Sequence, residues 1–472
     1  AAERPDTPAP ITATFFTDPP FRSLADLQSV LTAGTSLNPK SWFPRISGDP
    51  APSTCPVTGD LFPPTFPDFA SSRAQALQRL EEFVPLAGRY SKYRNHVLPG
   101  HPWVSRLSPA VRHRLLLEEE CCQAPLARYA ASTIEKFTQE VSWRRYWKAW
   151  MSLRPQVWSN YLADLQHIQH DNSFNEVRHQ AGRCMAGESS IDIMNYFAHE
   201  LTTPGYLHNH ARMWFAGWWV HVERLPWQLG AHFFFQNLLD ADPASNTLSW
   251  RWVAGLQTPG KSYLPRRTNI EKYVDPEILG IRQKGLEHLE SPVAHPPECP
   301  PRESVTRPRL QPVSRADSEE SGLWIHEEDL LPEKGPLSDL VPHTAMITGD
   351  FESWSGLAFS QQKRAWLLSA LRDAEARTKY FYKVDTHLTA EQPLSVTLSS
   401  WARQNDLKTV VALRPEVGPL ADQLPRLRET LAGGGVELAL FDRPEDTKVR
   451  SLATGGFFNF WKKCQRIQKP GA

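Results

Sequence analysis

Residues 237–255 read NLLDADPASNTLSWRWVAG, and this stretch sets Asp240, Asp242, Asn246, Trp250 and Trp252 close together. Upstream, GYLHNHARMWFAGWW (205–219) carries Asn209, Arg212 and Met213 on one helical face. A buried charge needs a partner, so one of the two carboxylates can pair with Arg212 inside a dry site. The other, with Asn246, offers a row of acceptors and donors to a flat heterocycle. Each residue has a plainer role open to it: Asp240 as a solvated helix-end carboxylate, Asn246 as a cap. Further upstream, Glu140, Trp143, Arg144 and Trp147 follow one another at i, i+3, i+4 and i+7 on a helix over 132–153. A packed aromatic stripe with an incidental ion pair accounts for that face; so does the wall of a cavity for an aromatic ligand. Ten of the chain's 17 tryptophans fall between 143 and 252.

Around this centre the period is helical from about 70 to 250. FASSRAQALQRLEEFVPLAGRY sets Ala76, Leu77, Leu80 and Phe83 at three- and four-residue steps. Further helices are expected over 109–130, 188–203, 208–224 and 227–239, the last started by Pro226, whose missing N–H costs nothing there. Residues 1–66 are rich in Pro, Ser and Thr and predict an irregular extension with one short helix near 23–32. The Pro-rich run 291–320 predicts a linker. Beyond it the short apolar runs LWI (323–325), AMI (345–347), KTVVAL (408–413) and VELALF (436–441) alternate with helical stretches near 361–377, 395–404 and 417–432. Such alternation predicts a doubly wound parallel α/β domain over 321–472, ending in a helix. Its loops hold neither G-x-G-x-x-G nor a P-loop. The expected architecture is a large all-helical domain, 67–290, followed by a Rossmann-like α/β domain.

Fifty-two basic and 52 acidic side chains in 472 residues give no net charge, which excludes a globally basic nucleic-acid binder but not a local basic groove. Hydrophobic residues at 40% and charged residues at 22% suit a soluble globular chain. No apolar run reaches the length a membrane helix needs. Cys55, Cys121, Cys122, Cys184, Cys299 and Cys464 show no C-x-x-C spacing, so neither zinc nor an iron–sulfur cluster is expected. The chain opens on Ala-Ala-Glu without Met, which fits a trimmed leader or a shortened chain. A bacterial cytoplasm or, after loss of a leader, an organelle such as a plastid is compatible with this; the compartment stays unassigned.

VSRLSP (104–109), QEVSWRRYW (139–147), GYLHNHARM (205–213) and LLDADPASNTLSWRWVAGLQ (238–257), followed by TPGKSYLPRRTNIEKYV (258–274), occur in that order. In these motifs the chain resembles the flavin-binding domain of the photolyase/cryptochrome family, over about residues 70–275, and looks closest to a bacterial-type branch. The resemblance implies FAD held by a serine turn (Ser105, Leu107, Ser108), with Val104 where a threonine is usual. It implies Arg144 near the flavin and its phosphates, Asn209 against the bent cofactor and Arg212 paired with Asp240 beside the ring system. Asp242 would meet the N3/O2 edge, and Asn246 would face N5. Glu140 would be the lesion-contacting acid, and Trp143, Met213 and Trp252 the lining of the pocket for a flipped dimer. Trp250 and Trp227 match the first two tryptophans of the chain that photoreduces flavin, with Trp158 a candidate third. Two departures stand out. The family's α/β antenna domain comes first, whereas here it follows, so an antenna pigment is assigned to no residue. His210 replaces a frequent arginine.

The activity so implied is light-driven splitting of cyclobutane pyrimidine dimers, a carbon–carbon lyase reaction. Asn209 and Met213 favour that lesion because (6-4) enzymes of the family carry histidines at both positions. The expected partner is dimer-containing DNA, single-stranded DNA included, with no membrane and a monomeric chain. Arg106, Arg112, Arg145, Lys148, Lys261, Arg266 and Arg267 are the candidate phosphate contacts. The competing function is a blue-light receptor of cryptochrome type, which needs the FAD contacts, Trp227 and Trp250 but not Glu140, Met213 and Trp252. A flavoprotein with a structural or dark redox role is a third possibility.

Overall fold

The computed structural model describes residues 69–258, 260–301, 303–306 and 320–467; the expected extension over 1–66 and its short helix lie outside them. The longer helices and the strands are numbered here in chain order. Helix α1 (Arg73–Phe83) starts where the Ser72 side chain accepts from the Gln75 amide, and it buries Ala76, Leu80 and Phe83 as its period requires. The expected helix over 109–130 is instead two, Ser108–Arg112 and α2 (Glu118–Leu126). Arg114, at φ +54°, breaks the run. That turn lets the His113 ring reach the Glu327 carbonyl and lets Arg114 reach Asp446, contacts a continuous helix would forfeit. Then follow α3 (Ala131–Ser152), α4 (Gln156–His170), α5 (Asn175–Met185), α6 (Asp192–Thr202), α7 (Asn209–His221), α8 (Trp227–Asn237) and α9 (Pro243–Val253).

After the helices comes a five-stranded sheet. Strands β1 (Ser321–His326), β2 (Thr344–Thr348), β3 (Asp385–Thr389), β4 (Thr409–Leu413) and β5 (Glu437–Phe441) pair in parallel in the order β3-β2-β1-β4-β5. In register, Leu323 faces Ala345 on one side and Val411 on the other. Helices α10 (Gln361–Tyr382), α11 (Leu394–Gln404) and α12 (Pro419–Gly433) make the crossovers, and α13 (Phe457–Ile467) follows the sheet. Four strands coincide with the apolar runs. β3, with the sequence DTHLT, was not expected: it is a half-exposed edge strand, and an edge needs no apolar run.

The strands' two-residue period divides the core. Leu323, Ile325, Ala345, Ile347 and Val411 belong to a hydrophobic cluster continuous with the helical part. Trp324, Met346, Val410 and Ala412 pack on the other face with Leu398 and Trp401 of α11 and Leu420 and Leu427 of α12. The strand order reverses beside β1, where doubly wound sheets ordinarily open a crevice at the strand ends. Here side chains fill it. Arg112 holds Glu328 through both guanidinium nitrogens, one at 2.8 Å. Lys148 lies 3.5 Å from the same carboxylate, and Asp329 takes a two-pronged bond from Arg443. Helical part and sheet are thus joined through buried, paired charge.

Candidate functional site

A cavity of about 1640 Å³ opens within the helical part. It is larger than the roughly 300–1,000 Å³ that one drug-sized ligand occupies. Helix α3 supplies one wall: Glu140, Trp143, Arg144 and Trp147, the four residues at helical spacing, all line it. Asn209, Arg212 and Met213 of α7 line the facing wall, and Asn246, Trp250 and Trp252 of α9 a third. Ser105, Leu107 and Ser108 close one end, next to Arg106, which sits at φ +56°. A non-glycine residue there costs about 1–2 kcal/mol, the kind of local strain that gathers at functional sites. The Leu107 amide donates to Ser105 Oγ at 3.4 Å.

Asp240 and Asp242 sit in the tight link between α8 and α9. Arg212 donates to Asp240 Oδ2 at 2.9 Å, the pairing expected from sequence. Asp242 caps α9: its Oδ1 accepts from the Ser245 amide at 2.9 Å, with Pro243 in the first turn. Its other oxygen lies among Lys148 at 3.6 Å, Arg112 at 3.8 Å and Arg144 at 3.9 Å. Burial pushes the Asp242 carboxyl up, and the three cations outweigh burial and hold it below the usual carboxylate range. The Asn246 amide nitrogen donates to the Ala231 carbonyl at 2.8 Å, leaving its oxygen for a ligand.

Several buried polar atoms on this lining have no hydrogen-bond partner: Asp240 Oδ1, Asp242 Oδ2, Ser245 Oγ, Arg144 Nε and Trp250 Nε1. Orphaned buried polar atoms are expensive, and here they converge on one space. The donor and acceptor set fits a flat polar heterocycle with an anionic tail: carboxylate and hydroxyl oxygens for ring N–H groups, cations for phosphate.

Glu140 was expected to face the cavity, and it does, but not alone. Arg94 donates to Glu140 Oε1 at 2.6 Å and lines the cavity too. Burial raises the Glu140 carboxyl above its usual value, against the lowering effect of Arg94. Arg94 escaped sequence reading because GRYSKYRNH has no spacing that singles it out. Trp143 was expected to offer its face to a ligand. One face is instead stacked on Phe457 of α13, with centroids 3.7 Å apart and planes 11° from parallel. Nothing in the sequence links positions so far apart. Trp252 stacks on Tyr263 at 5.8 Å, and Met213 Sδ lies 4.0 Å from the Asn209 amide nitrogen. His210, on the lining, has its Nδ1 2.9 Å from the Asn95 carbonyl and its ring stacked on Trp214.

Trp227 does not line the cavity. It is buried and stacks on Tyr161 at 5.4 Å, and Tyr161 stands 5.4 Å from Trp158. The Trp158 indole donates to Asp422 at 2.8 Å. Trp250 lies against Gly230, where an added Cβ would come within 2.3 Å of its ring. Gly230→Ala should therefore displace Trp250 and cost about 1–3 kcal/mol despite the better helix propensity of alanine. A lowered unfolding midpoint with altered near-UV dichroism would show it; unchanged values would mean that the indole has room.

Three of the seven candidate phosphate contacts are corrected. Arg112 and Lys148 are buried between Asp242 and Glu328, and Arg145 pairs with Glu118 and Glu119, whereas Arg267 stays at the surface beside Glu271 and Glu290. A positive charge count does not distinguish a free cation from one already neutralised inside the fold. Arg106, Lys261 and Arg266 make no ion pair among the described residues. No group of three metal-binding side chains occurs among the described residues, and none of their helices is long and apolar enough to cross a membrane.

Residues 137–288 match the family described as the FAD binding domain of DNA photolyase. Curated relatives include a deoxyribodipyrimidine photo-lyase of Agrobacterium fabrum, 27% identical over 41% of this chain and 42% of that protein. A deoxyribodipyrimidine photo-lyase of Streptomyces griseus is 32% identical over 31% of this chain and 30% of its own. A cryptochrome DASH of Idiomarina loihiensis is 26% identical over 44% and 46%. The match spans less than half the length of each of these relatives.

Proposed function

We propose that this chain, which its helical part relates to the photolyase/cryptochrome family, binds FAD and uses blue light to split cyclobutane pyrimidine dimers in DNA. The observation that carries this is the large cavity on which the cofactor-type and lesion-type residues converge, Glu140 among them. A receptor needs the first set only.

Bound and reduced, the flavin supplies one electron to the dimer on absorbing blue light. The residues of the chain do the rest. Asp240 Oδ1 and Asp242 Oδ2, which lack a hydrogen-bond donor, would accept ring N–H groups, and Arg212 fixes Asp240 in place. Asn246 presents its carbonyl oxygen, and Asn209 and Leu107 complete the cofactor wall beside it. The turn at Ser105 and Ser108 would hold phosphate, together with the Nε that Arg144 keeps free of its bonds to Glu118 and the Arg112 carbonyl. Met213 and Trp252 supply apolar surface to a dimer that has left the stack, at a cost of a few kcal/mol. Trp143 offers the face that Phe457 leaves open. Glu140, with Arg94 behind it, sits where its carboxylate can accept from a base N–H and where the protonated carboxyl, favoured by burial, can donate to a base carbonyl as negative charge develops on it. Asp240 and Asp242 are buried away from water, which strengthens their contacts.

The test is direct. Purified protein should bind about one FAD per chain without a covalent link, and illumination with a reductant should remove dimers from a thymine oligonucleotide. A colourless protein that takes up no FAD would overturn the cofactor assignment; FAD without dimer loss would overturn repair. One observation favours the receptor function in that case: the chain's own Phe457 already covers part of the surface a lesion would use. Trp250 carries a separate prediction. Trp250→Phe should slow photoreduction of oxidised flavin in the presence of a thiol, while dimer splitting by chemically reduced protein is largely kept. Equal photoreduction rates would exclude Trp250 as the donor nearest the flavin, with Trp227 and Trp158 behind it.

A further inference from the structure

Helix α13 has two different faces. Phe457 and Phe460 are buried, packing on Trp143 and Tyr146 of α3. The opposite face carries Phe458, Lys462 and Arg466, four residues apart and all exposed. Phe458 is 64% exposed and lines the cavity. The helix, FFNFWKKCQRI, has no acidic residue, and neither Lys462 nor Arg466 makes an ion pair among the described residues. At 1.5 Å per residue the row extends about 12 Å away from the cavity. One exposed phenylalanine alone would mean little. An aromatic ring at a cavity mouth, followed in line by two unneutralised cations, is the combination that holds a single nucleic-acid strand: the ring stacks on a base and the cations follow the phosphates.

We propose that this face of α13 holds the DNA strand beside the dimer, with Phe458 stacking on an unpaired neighbouring base and Lys462 and Arg466 on its phosphates. The inference rests on the repair function above and adds to it a strand-binding element supplied from beyond the sheet. An acidic strand is favoured over an anionic lipid surface because Phe458 is a lone exposed ring on this row, too little apolar area to anchor a helix in a bilayer.

The experiment uses the full FAD-loaded chain in the dark and a fluorescent single-stranded thymine oligonucleotide without dimers, titrated at several salt concentrations. Phe458→Ala should weaken binding about tenfold, and Phe458→Trp should keep it. Lys462→Ala with Arg466→Ala should reduce the slope of log affinity against log salt by about 1.4. Flavin absorbance should be unchanged in every variant, which separates strand binding from cofactor loss. If the wild type binds no oligonucleotide at any salt, this inference is overturned, while the repair function stands or falls with dimer loss under light. If the wild type binds and the variants bind equally well, this inference alone is overturned. Variants that lose binding to phosphatidylserine vesicles but not to DNA would overturn it in favour of a membrane surface.

Discussion

Glu140→Ala is expected to keep FAD and to lose most of its dimer splitting per absorbed photon. The carboxyl lines the cavity on α3, one turn before Trp143 and Arg144, and is held there by Arg94. Preorganised groups aimed at developing charge are typically worth about 2–4 kcal/mol. Removing the carboxylate also leaves Arg94 without its partner in a partly buried place. The measurement is dimer loss from a short oligonucleotide under blue light, with both proteins chemically reduced beforehand. Splitting as efficient as in wild type would strip Glu140 of its role, and in a pure receptor the same change should leave the light response nearly untouched.

The second large effect is one of stability. Glu328→Ala should destabilise the fold by about 3–5 kcal/mol, because it strands Arg112 and Lys148 in the interior with one carboxylate fewer between them. Glu328→Gln should lose nearly as much, since the shape stays and the charge goes. Acid should act in the same direction. Burial would raise the Glu328 carboxyl, but Arg112 and Lys148 outweigh it and hold it well below the carboxylate range. Its contribution is therefore complete above an unfolded pKa of about 4.5 and is lost as the pH falls through the lower folded value. His113 adds to this: burial, with Arg112 beside it, pushes its ring down to about 3. An unfolded imidazole takes up a proton near pH 6.5 that the folded one refuses until about 3, so stability again falls with pH. The unfolding midpoint should decline from about pH 6.5 downward through His113 and more steeply below about pH 4.5, where Glu328 begins to be lost; no steepening below about pH 4.5 would show that the ion pair is not held as strongly as its geometry implies.

What the sequence disclosed followed from local pattern. Helix α3 and four strands were readable because apolar residues recur at 3.6 or 2 residues, and the cavity walls because Glu140, Trp143 and Arg144, or Asp240, Asp242 and Asn246, are close neighbours in the chain. β3 was missed because an edge strand can be polar. Arg94 and Phe457 were missed because their partners are tens to hundreds of residues away and neither sits in a repeating pattern. The cations at 112, 145 and 148 were misread for a related reason: whether a cation is free depends on carboxylates brought to it by the tertiary fold. Trp227 was recognised by motif alone, and its stacking on Tyr161 is a contact between separate helices.

The filled crevice at the end of β1 has a consequence for how the protein is made. Lys148 and Arg112 sit beside Asp242, which lines the cavity, yet the second carboxylate they share, Glu328, belongs to the turn that follows β1. On the ribosome, Glu328 is added about 180 residues after Lys148, a delay of roughly 10–40 s at ordinary rates of synthesis. Throughout that interval the helices can form, but Lys148 and Arg112 have only Asp242 between them. Cofactor capture by the nascent chain should therefore wait until the first strand of the sheet has left the exit tunnel, so that the part made later licenses the part made first.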